Sequence, residues 1–416
     1  MLIPSIDLLD GKAVQLQQGK AEKKIIERKD VFQLLEEFSL YGEVAIIDLN
    51  AAMGTGSNQQ LIEQMLAVKT CRVGGGIRDL ETAKSYLAAG ATKIIMGTSA
   101  RSDFVSKLPK DALIFAIDAK GDFLSTHGWQ TTQSEKVLDI IPQLAQNCGE
   151  FLYTQIQNEG MMGGIDKDRI RQVIDKSPVP VTVAGGISSY LDLQWINNLG
   201  ANSQIGMAIY SGKMSLDKAL MSLIDFEKAP LVPTVVQDDD TYKVLMLAYS
   251  SQESLQTALS QKTGTYYSRS RNEIWTKGLS SGNTQELINV DVDCDGDTLL
   301  FKVRQKNNAC HFDRYSCFAS QRKEYSLDYL DEIFKQRIND AETSEKLSFS
   351  QKLLTDFELQ QEKLREECQE LIEAADHNHV RWEAADLMFF TLAMAKSKGV
   401  SFKEILNDLR SRNDAR

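Results

Sequence analysis

Residues 291–318, DVDCDGDTLLFKVRQKNNACHFDRYSCF, place three carboxylates (Asp293, Asp295 and Asp297) at alternate positions around the thiol of Cys294. Two further thiols follow at Cys310 and Cys317. On a strand, successive side chains point to opposite faces, so the aspartates share one face and Cys294 points the other way. That separation predicts two metal centres of different hardness, because oxygen donors suit Mg²⁺ and thiolates suit Zn²⁺. Three cysteine ligands leave the fourth tetrahedral position of zinc open to water, the pattern of a catalytic centre. The competing reading is a solvated acidic turn beside ordinary buried cysteines. Against it, half of the chain's six cysteines fall within 24 residues beside the acidic run, whereas Cys71, Cys148 and Cys368 are scattered and read as core.

A second set of carboxylates lies near the C-terminus. Glu367 and Glu370 precede Glu383 and Asp386, and each pair has the i, i+3 spacing that puts two side chains on one helix face. Across an antiparallel helix pair the four would converge, with Leu364, Leu371, Met388, Phe389 and Leu392 as the apolar stripe. Converging carboxylates repel unless a cation neutralises them. A solvated acidic face is the alternative. Glu383 and Asp386, however, sit in the largely apolar WEAADLMFF, where unpaired acids are costly.

The third constellation is built of aspartates and glycines. Asp7 follows IPSI and Asp118 follows IFAI, each ending an apolar run. The pairs Gly75–Gly76 and Gly185–Gly186 lie between apolar runs and amphipathic stretches. With Gly97–Thr98 and Gly206–Met207 they would form two cradles of backbone N–H groups, suited to a substrate with a phosphate at each end.

The elements that must position these groups follow from the pattern around them. EVAIIDL (43–49), ATKIIMG (91–97), ALIFAID (112–118), EFLYTQI (150–156) and VPVTVAGG (179–186) read as buried parallel strands alternating with helices. VGGGI (73–77) recurs as VAGGI (183–187), and Gly90 recurs as Gly200, both at an offset of 110; Asp7 and Asp118 are 111 apart. A constant register predicts a duplicated half-barrel, hence a (β/α)8 TIM barrel over 1–226 with its active site at the C-terminal strand ends. A doubly wound open sheet is the alternative. KAPLVPTVVQDDD (228–240) reads as a linker turning into an edge strand. It opens a small α+β metal-binding domain over 227–325, with one helix at 251–262 begun by a Ser cap. From Leu327 the pattern is helical, with a break near 338–348, giving an all-α domain over 326–416.

A net charge of −11 without a basic stripe argues against nucleic acid as a partner. Asp7 and Asp10 interrupt the first apolar run, so no signal peptide is expected. No apolar stretch approaches the roughly 20 residues of a membrane helix. Six irregularly spaced cysteines point to a reducing, cytoplasmic setting.

Residues 243–318 resemble phosphoribosyl-AMP cyclohydrolase of histidine biosynthesis. The likeness is carried by VLMLAY (244–249), YYSRSR (266–271), W-x-KG (275–278), SGN (281–283), DCDGD (293–297), ACH (309–311) and SCF (316–318). The resemblance implies zinc on Cys294, Cys310 and Cys317, and magnesium on Asp293, Asp295 and Asp297. It also implies hydrolytic opening of the adenine ring of phosphoribosyl-AMP, with His311 shuttling a proton. Leu279 stands where the family usually carries Glu. Because Cys294 faces away from its own aspartates, the zinc is expected to be completed across a homodimer interface.

Residues 1–226 resemble the phosphoribosylformimino-aminoimidazole carboxamide ribotide isomerase of the same route, through IPSIDLLDGK (3–12), RVGGGIRDLETA (72–83), IIMGTSA (94–100), HGWQ (127–130), EG-x-x-GGID (159–166) and AGGISS (184–189). The implied reaction is an Amadori rearrangement, in which an acid protonates a ring oxygen and a base removes a proton from the adjacent carbon. By resemblance Asp7 is the base and Glu159 the acid, with Asp118 and Thr154 in the catalytic set. Trp129 would stack on the imidazole, and Arg78 would join the phosphate-binding glycines. Glu159 replaces the family's Asp, Gln155 replaces a second acid, and Gln15 replaces an Arg.

The E-x-x-E…E-x-x-D spacing of the tail resembles phosphoribosyl-ATP pyrophosphohydrolase, with support from KGVSFKEILNDLRSR (398–412). Magnesium on Glu367, Glu370, Glu383 and Asp386 and a phosphate contact from Lys363 are implied. Arg365 stands where the family prefers Gly. Together the resemblances imply three consecutive steps on small phosphorylated ribotides. Two alternatives stand beside them: a two-activity hydrolase with an inactive scaffold barrel, and a nucleotide-sensing scaffold without turnover.

Overall fold

The computed structural model of the protein describes residues 1–16, 24–126, 129, 131–158, 163–318, 320, 322, 326–341 and 346–413. Eight strands, Leu2–Leu9, Val44–Asp48, Cys71–Gly74, Lys93–Met96, Leu113–Lys120, Glu150–Gln155, Val181–Ala184 and Asn202–Ile205, pair in parallel, each with the next. The eighth pairs with the first, Leu2 opposite Ser203, so the sheet closes into a barrel and the open-sheet alternative is excluded. Inside the barrel, Ile95, Ile114, Leu152 and Ala184 form an apolar layer with Ile47 and Ala116 packed on it. Outside, the helices bury one stripe each. Val31, Leu34, Leu35 and Phe38 do so at helical spacing on Val31–Phe38.

Below the apolar layer the inward positions are ionic. Arg72 is 1% exposed; its guanidinium pairs with Glu43 and, at 2.8 Å, with Glu150, which also accepts from Lys93 at 2.5 Å and from the Thr182 hydroxyl. Arg72 and Thr182 stand at the same 110-residue offset as the glycine motifs and are themselves 3.4 Å apart. The half-barrel repeat therefore meets itself at the floor. Removing one partner of a buried ion pair leaves an uncompensated charge. Arg72→Met is therefore expected to lower unfolding free energy by about 3–5 kcal/mol in a denaturant titration.

After the barrel comes a four-stranded sheet: Val244–Ser250, Val232–Asp238, Leu299–Gln305 and Gln285–Val292, in that spatial order. Val232–Asp238 was expected at the edge because of its prolines, but it lies inside, between two partners. Pro233 is tolerated because pairing with Leu299–Gln305 begins only at Thr234, so its missing N–H falls outside that ladder. The helix Gln252–Gln261 starts as expected, on a Ser251 capping box with Ser254.

By contacts the chain divides into two compact units. Residues 1–322 with 409–416 form one, so the barrel and the small sheet share a unit, and residues 323–408 form the other. The second is all-α. Helices Leu327–Ala341, Phe349–Thr355, Phe357–Glu373 and His377–Ser397 surround a core of Leu330, Phe334, Leu353, Leu354, Phe390, Leu392, Ala393 and Phe402. The expected break falls between Ala341 and Phe349, and part of it lies outside the described residues. Of the expected stripe, Leu392 is buried but Met388 is 52% exposed, because Phe390 and Ala393 take the core-facing positions instead. Among the described residues, no helix is long and apolar enough to cross a membrane.

Candidate functional site

At the C-terminal ends of the barrel strands, Asp7 and Asp118 stand on the first and fifth strands, half a barrel apart. Burial pushes the Asp7 carboxyl up to about 7. Burial also raises Asp118, to about 6, and hydrogen bonds from Trp129 and Thr154 offset part of that rise. One carboxyl, with no donor to stabilise its anion among the described residues, is suited to hold and release a proton. The other, with two donors, is suited to orient. Trp129 thus bonds to Asp118. Glu159 lies outside the described residues; among its described neighbours, Gln155 Oε1 accepts from Asp166 N at 3.0 Å and from Asn158 Nδ2 at 3.2 Å, and Gln155 Nε2 donates to Asp166 O at 3.3 Å. An amide can both donate to and accept from Asp166, where a carboxylate could only accept.

The glycine motifs have a packing reason as well as a ligand one. Gly76 takes φ +67°, and a Cβ there would lie 2.3 Å from the Ala51 carbonyl carbon. A Cβ on Gly75 would lie 2.2 Å from the backbone carbonyl oxygen of Asp48, a buried residue whose carboxylate accepts from Ala51 N and Asn58 N. Gly185–Gly186 follows the seventh strand in the same way and turns beside Asn158 and Gly164. Gly97–Thr98 and Gly206–Met207 open single helical turns at the ends of the fourth and eighth strands. Beside Gly206 lie the Ser5 hydroxyl and the Gln15 amide, whose Nε2 is buried with no partner among the described residues. Arg78 donates to the Ala52 carbonyl at 3.0 Å.

The DCDGD run is not a strand. Gln285–Val292 ends before it, and the aspartates are gathered by a turn in which Asp293 Oδ1 accepts from Asp297 N and Thr298 N, each at 3.0 Å. One oxygen from each of Asp293, Asp295 and Asp297 lies within 4.8 Å of the others, a donor set suited to a hard divalent cation. The convergence was expected, but strand alternation is not its cause. Cys310 and Cys317 come within interaction distance of each other. The Cys317 thiol is pushed up by burial and then by Cys310, while the Lys277 ammonium favours its thiolate. Cys294 is exposed and is not gathered with them into a three-ligand group. His311 is exposed, its ring stacked 3.9 Å from Phe312. Lys277, within the quoted W-x-KG, was given no role by sequence; only the fold brings it to the two thiols.

In the helical unit, Phe357–Glu373 and His377–Ser397 form the hairpin that the spacing predicted. Oxygens of Glu367, Glu383 and Asp386 lie within 4.8 Å of one another, and Glu370 hydrogen-bonds Glu383. Burial, then Asp386 and Glu370, raises the Glu367 carboxyl. Lys363 lies 2.5 Å from Glu366 and 3.8 Å from Glu367, so its charge already faces the cluster. His379 Nε2 sits 3.2 Å from Glu383, a neighbour the acidic spacing did not reveal; the signal was the i, i+4 offset on the same helix.

Comparison with known proteins gives three consecutive matches. Residues 1–215 match the family model of histidine biosynthesis proteins, 246–319 that of phosphoribosyl-AMP cyclohydrolase, and 327–413 that of phosphoribosyl-ATP pyrophosphohydrolase. A Methanocaldococcus jannaschii 1-(5-phosphoribosyl)-5-((5-phosphoribosylamino)methylideneamino) imidazole-4-carboxamide isomerase is 33% identical over 231 residues, 53% of this chain and 98% of that protein. A Chloroherpeton thalassium phosphoribosyl-AMP cyclohydrolase is 49% identical over 106 residues, 26% of this chain and 76% of its own length. A Saccharomyces cerevisiae histidine biosynthesis trifunctional protein is 38% identical over 202 residues, 48% of this chain. The match spans 25% of that longer protein.

Proposed function

The chain belongs to the histidine biosynthesis protein family, as a multifunctional enzyme whose three regions match three consecutive reactions of that route, and on that premise we propose how its residues divide the chemistry. The helical region, 326–416, releases pyrophosphate from phosphoribosyl-ATP. The small-sheet region, 227–325, opens the adenine ring of the resulting phosphoribosyl-AMP. The barrel, 1–226, converts the resulting aminoaldose to the aminoketose. Order along the chain is the reverse of order in the route.

In the barrel, the reading is carried by Asp7 and Asp118 at the C-terminal ends of strands half a barrel apart, with a proton affinity near neutrality on Asp7. Asp7 removes the proton from the carbon next to the opened aldose carbon. Glu159 donates to the ring oxygen, and Asp118, with Thr154 and Trp129, orients the imidazole. The two glycine sets, with Arg78 and the neutral Gln15 amide, receive the phosphates. In the small sheet, Cys310 and Cys317 would hold zinc, with Cys294 supplied by a second copy. Exposed Leu247, Leu279, Phe312 and Phe318 supply apolar surface for that copy. Zinc, when bound, supplies hydroxide at neutral pH, and magnesium at either carboxylate set supplies charge neutralisation for phosphates. His311 carries the proton away and Lys277 supports the thiolates. Sedimentation equilibrium giving a zinc-replete, active monomer would remove the shared site. A cytoplasmic setting fits the six free cysteines.

Supplying purified phosphoribosyl-ATP and identifying the products tests the whole assignment. Pyrophosphate together with the aminoketose is expected. Accumulation of the aminoaldose would mean a barrel retained as a scaffold, the reading that Gln15 and Gln155 in place of ionic residues would favour. No turnover at all would mean a sensor.

A further inference from the structure

The Asp293–Asp297 turn rests on the floor of the barrel, at the end opposite Asp7. Gly296 takes φ +76°, and a Cβ there would lie 2.4 Å from the Leu223 carbonyl oxygen. Leu223 follows Leu216–Met221, the last helix of the barrel. The strand leading into the turn is fastened to the same face. Val290 N donates to Leu40 O at 2.9 Å, and Asn289 Nδ2 donates to Ser39 O at 3.0 Å. Val290, Asp291 and Val292 lie beside Leu2, Tyr41 and Leu223. The turn is therefore held from within by Asp293, through the N–H groups of Asp297 and Thr298, and packs from outside against a barrel carbonyl.

We propose that the N-terminal face of the barrel is part of the cation centre of the small sheet. Gly296, seated on Leu223, is a positioning residue that keeps Asp295 and Asp297 beside Asp293. Three carboxylates in one short turn repel one another, which favours spreading of the turn until a cation neutralises them. A contact that blocks this spreading lowers the ordering cost of binding and raises affinity. The barrel thus has a second task besides isomerisation, performed at its opposite end. The proposal rests on the assignment of Asp293, Asp295 and Asp297 to a divalent cation.

The test is a Mn²⁺ titration of the full chain in a Glu383→Gln background, with free Mn²⁺ read by electron paramagnetic resonance. Gly296→Ala is expected to weaken binding about ten- to a hundredfold, the range for groups that orient metal ligands. Leu223→Ala keeps the carbonyl against which Gly296 sits and should weaken binding far less than Gly296→Ala. Gly282 has the same φ of +76° but nothing within 4 Å of a Cβ. Gly282→Ala should therefore leave binding unchanged. Isomerisation persisting in all three variants would show that the barrel is intact. Wild-type affinity in Gly296→Ala, or an equal loss in Gly282→Ala, overturns the proposal while leaving the cation assignment standing. A parent that binds no Mn²⁺ sensitive to Asp295→Ala overturns the assignment and the proposal together.

Discussion

Asp7→Asn is expected to lower the isomerisation rate by about 10²–10⁴-fold, the range for a positioned general base, while pyrophosphate release and ring opening continue at wild-type rates. The aminoaldose should then accumulate, read by chromatography of the products. The pH dependence follows from the same carboxyl. Burial raises it from 3.8 to about 7, so the ionised base is the minor form below neutrality, and wild-type isomerisation should rise with pH through about 7. The sign for stability is opposite. A folded-state value above the unfolded one means that the protonated form favours folding below pH 3.8, and that this advantage is lost as pH rises toward 7. Asp7→Asn, which cannot ionise, should therefore unfold at a higher temperature than wild type at pH 8, with the difference closing below pH 4. Loss of pyrophosphate release in this variant would mean that the division of labour among the regions is wrong.

Glu383→Gln is expected to abolish most pyrophosphate release, with a loss of about two to three decades in rate. Charge stabilisation by a metal is worth several kcal/mol, and each 1.36 kcal/mol is tenfold. Glu383 is the centre of its cluster: it converges with Glu367 and Asp386, accepts from Glu370 and lies 3.2 Å from His379. Removing one charge also relieves repulsion. Without magnesium the variant should therefore be the more stable protein, and in an Asp295→Ala background, which removes the cation set of the small sheet, added magnesium should no longer raise its melting temperature. Differential scanning calorimetry with and without magnesium reads both effects. Retained magnesium stabilisation would show that the cation sits elsewhere. Isomerisation of supplied aminoaldose should be unaffected.

What the sequence determined by itself was whatever repeats or keeps a local period. The 110-residue offset predicted a closed barrel, and the strands close as that repeat requires, with Arg72 and Thr182 meeting across it. The i, i+3 acids announced the helical hairpin because helix geometry fixes which side chains share a face. Tertiary structure decided what depends on groups distant along the chain. The aspartates of 293–297 are gathered by a turn, since backbone N–H groups compete for Asp293 and end the strand at Val292. Val232–Asp238 became an interior strand because partners on both sides outweighed one proline at its start. Cys310 met Cys317 and Lys277 while Cys294 stayed apart, and the small sheet came to rest on the barrel floor through Leu40 and Leu223. No local period in the chain encodes such meetings, because they follow from how separate elements pack, some of them hundreds of residues apart.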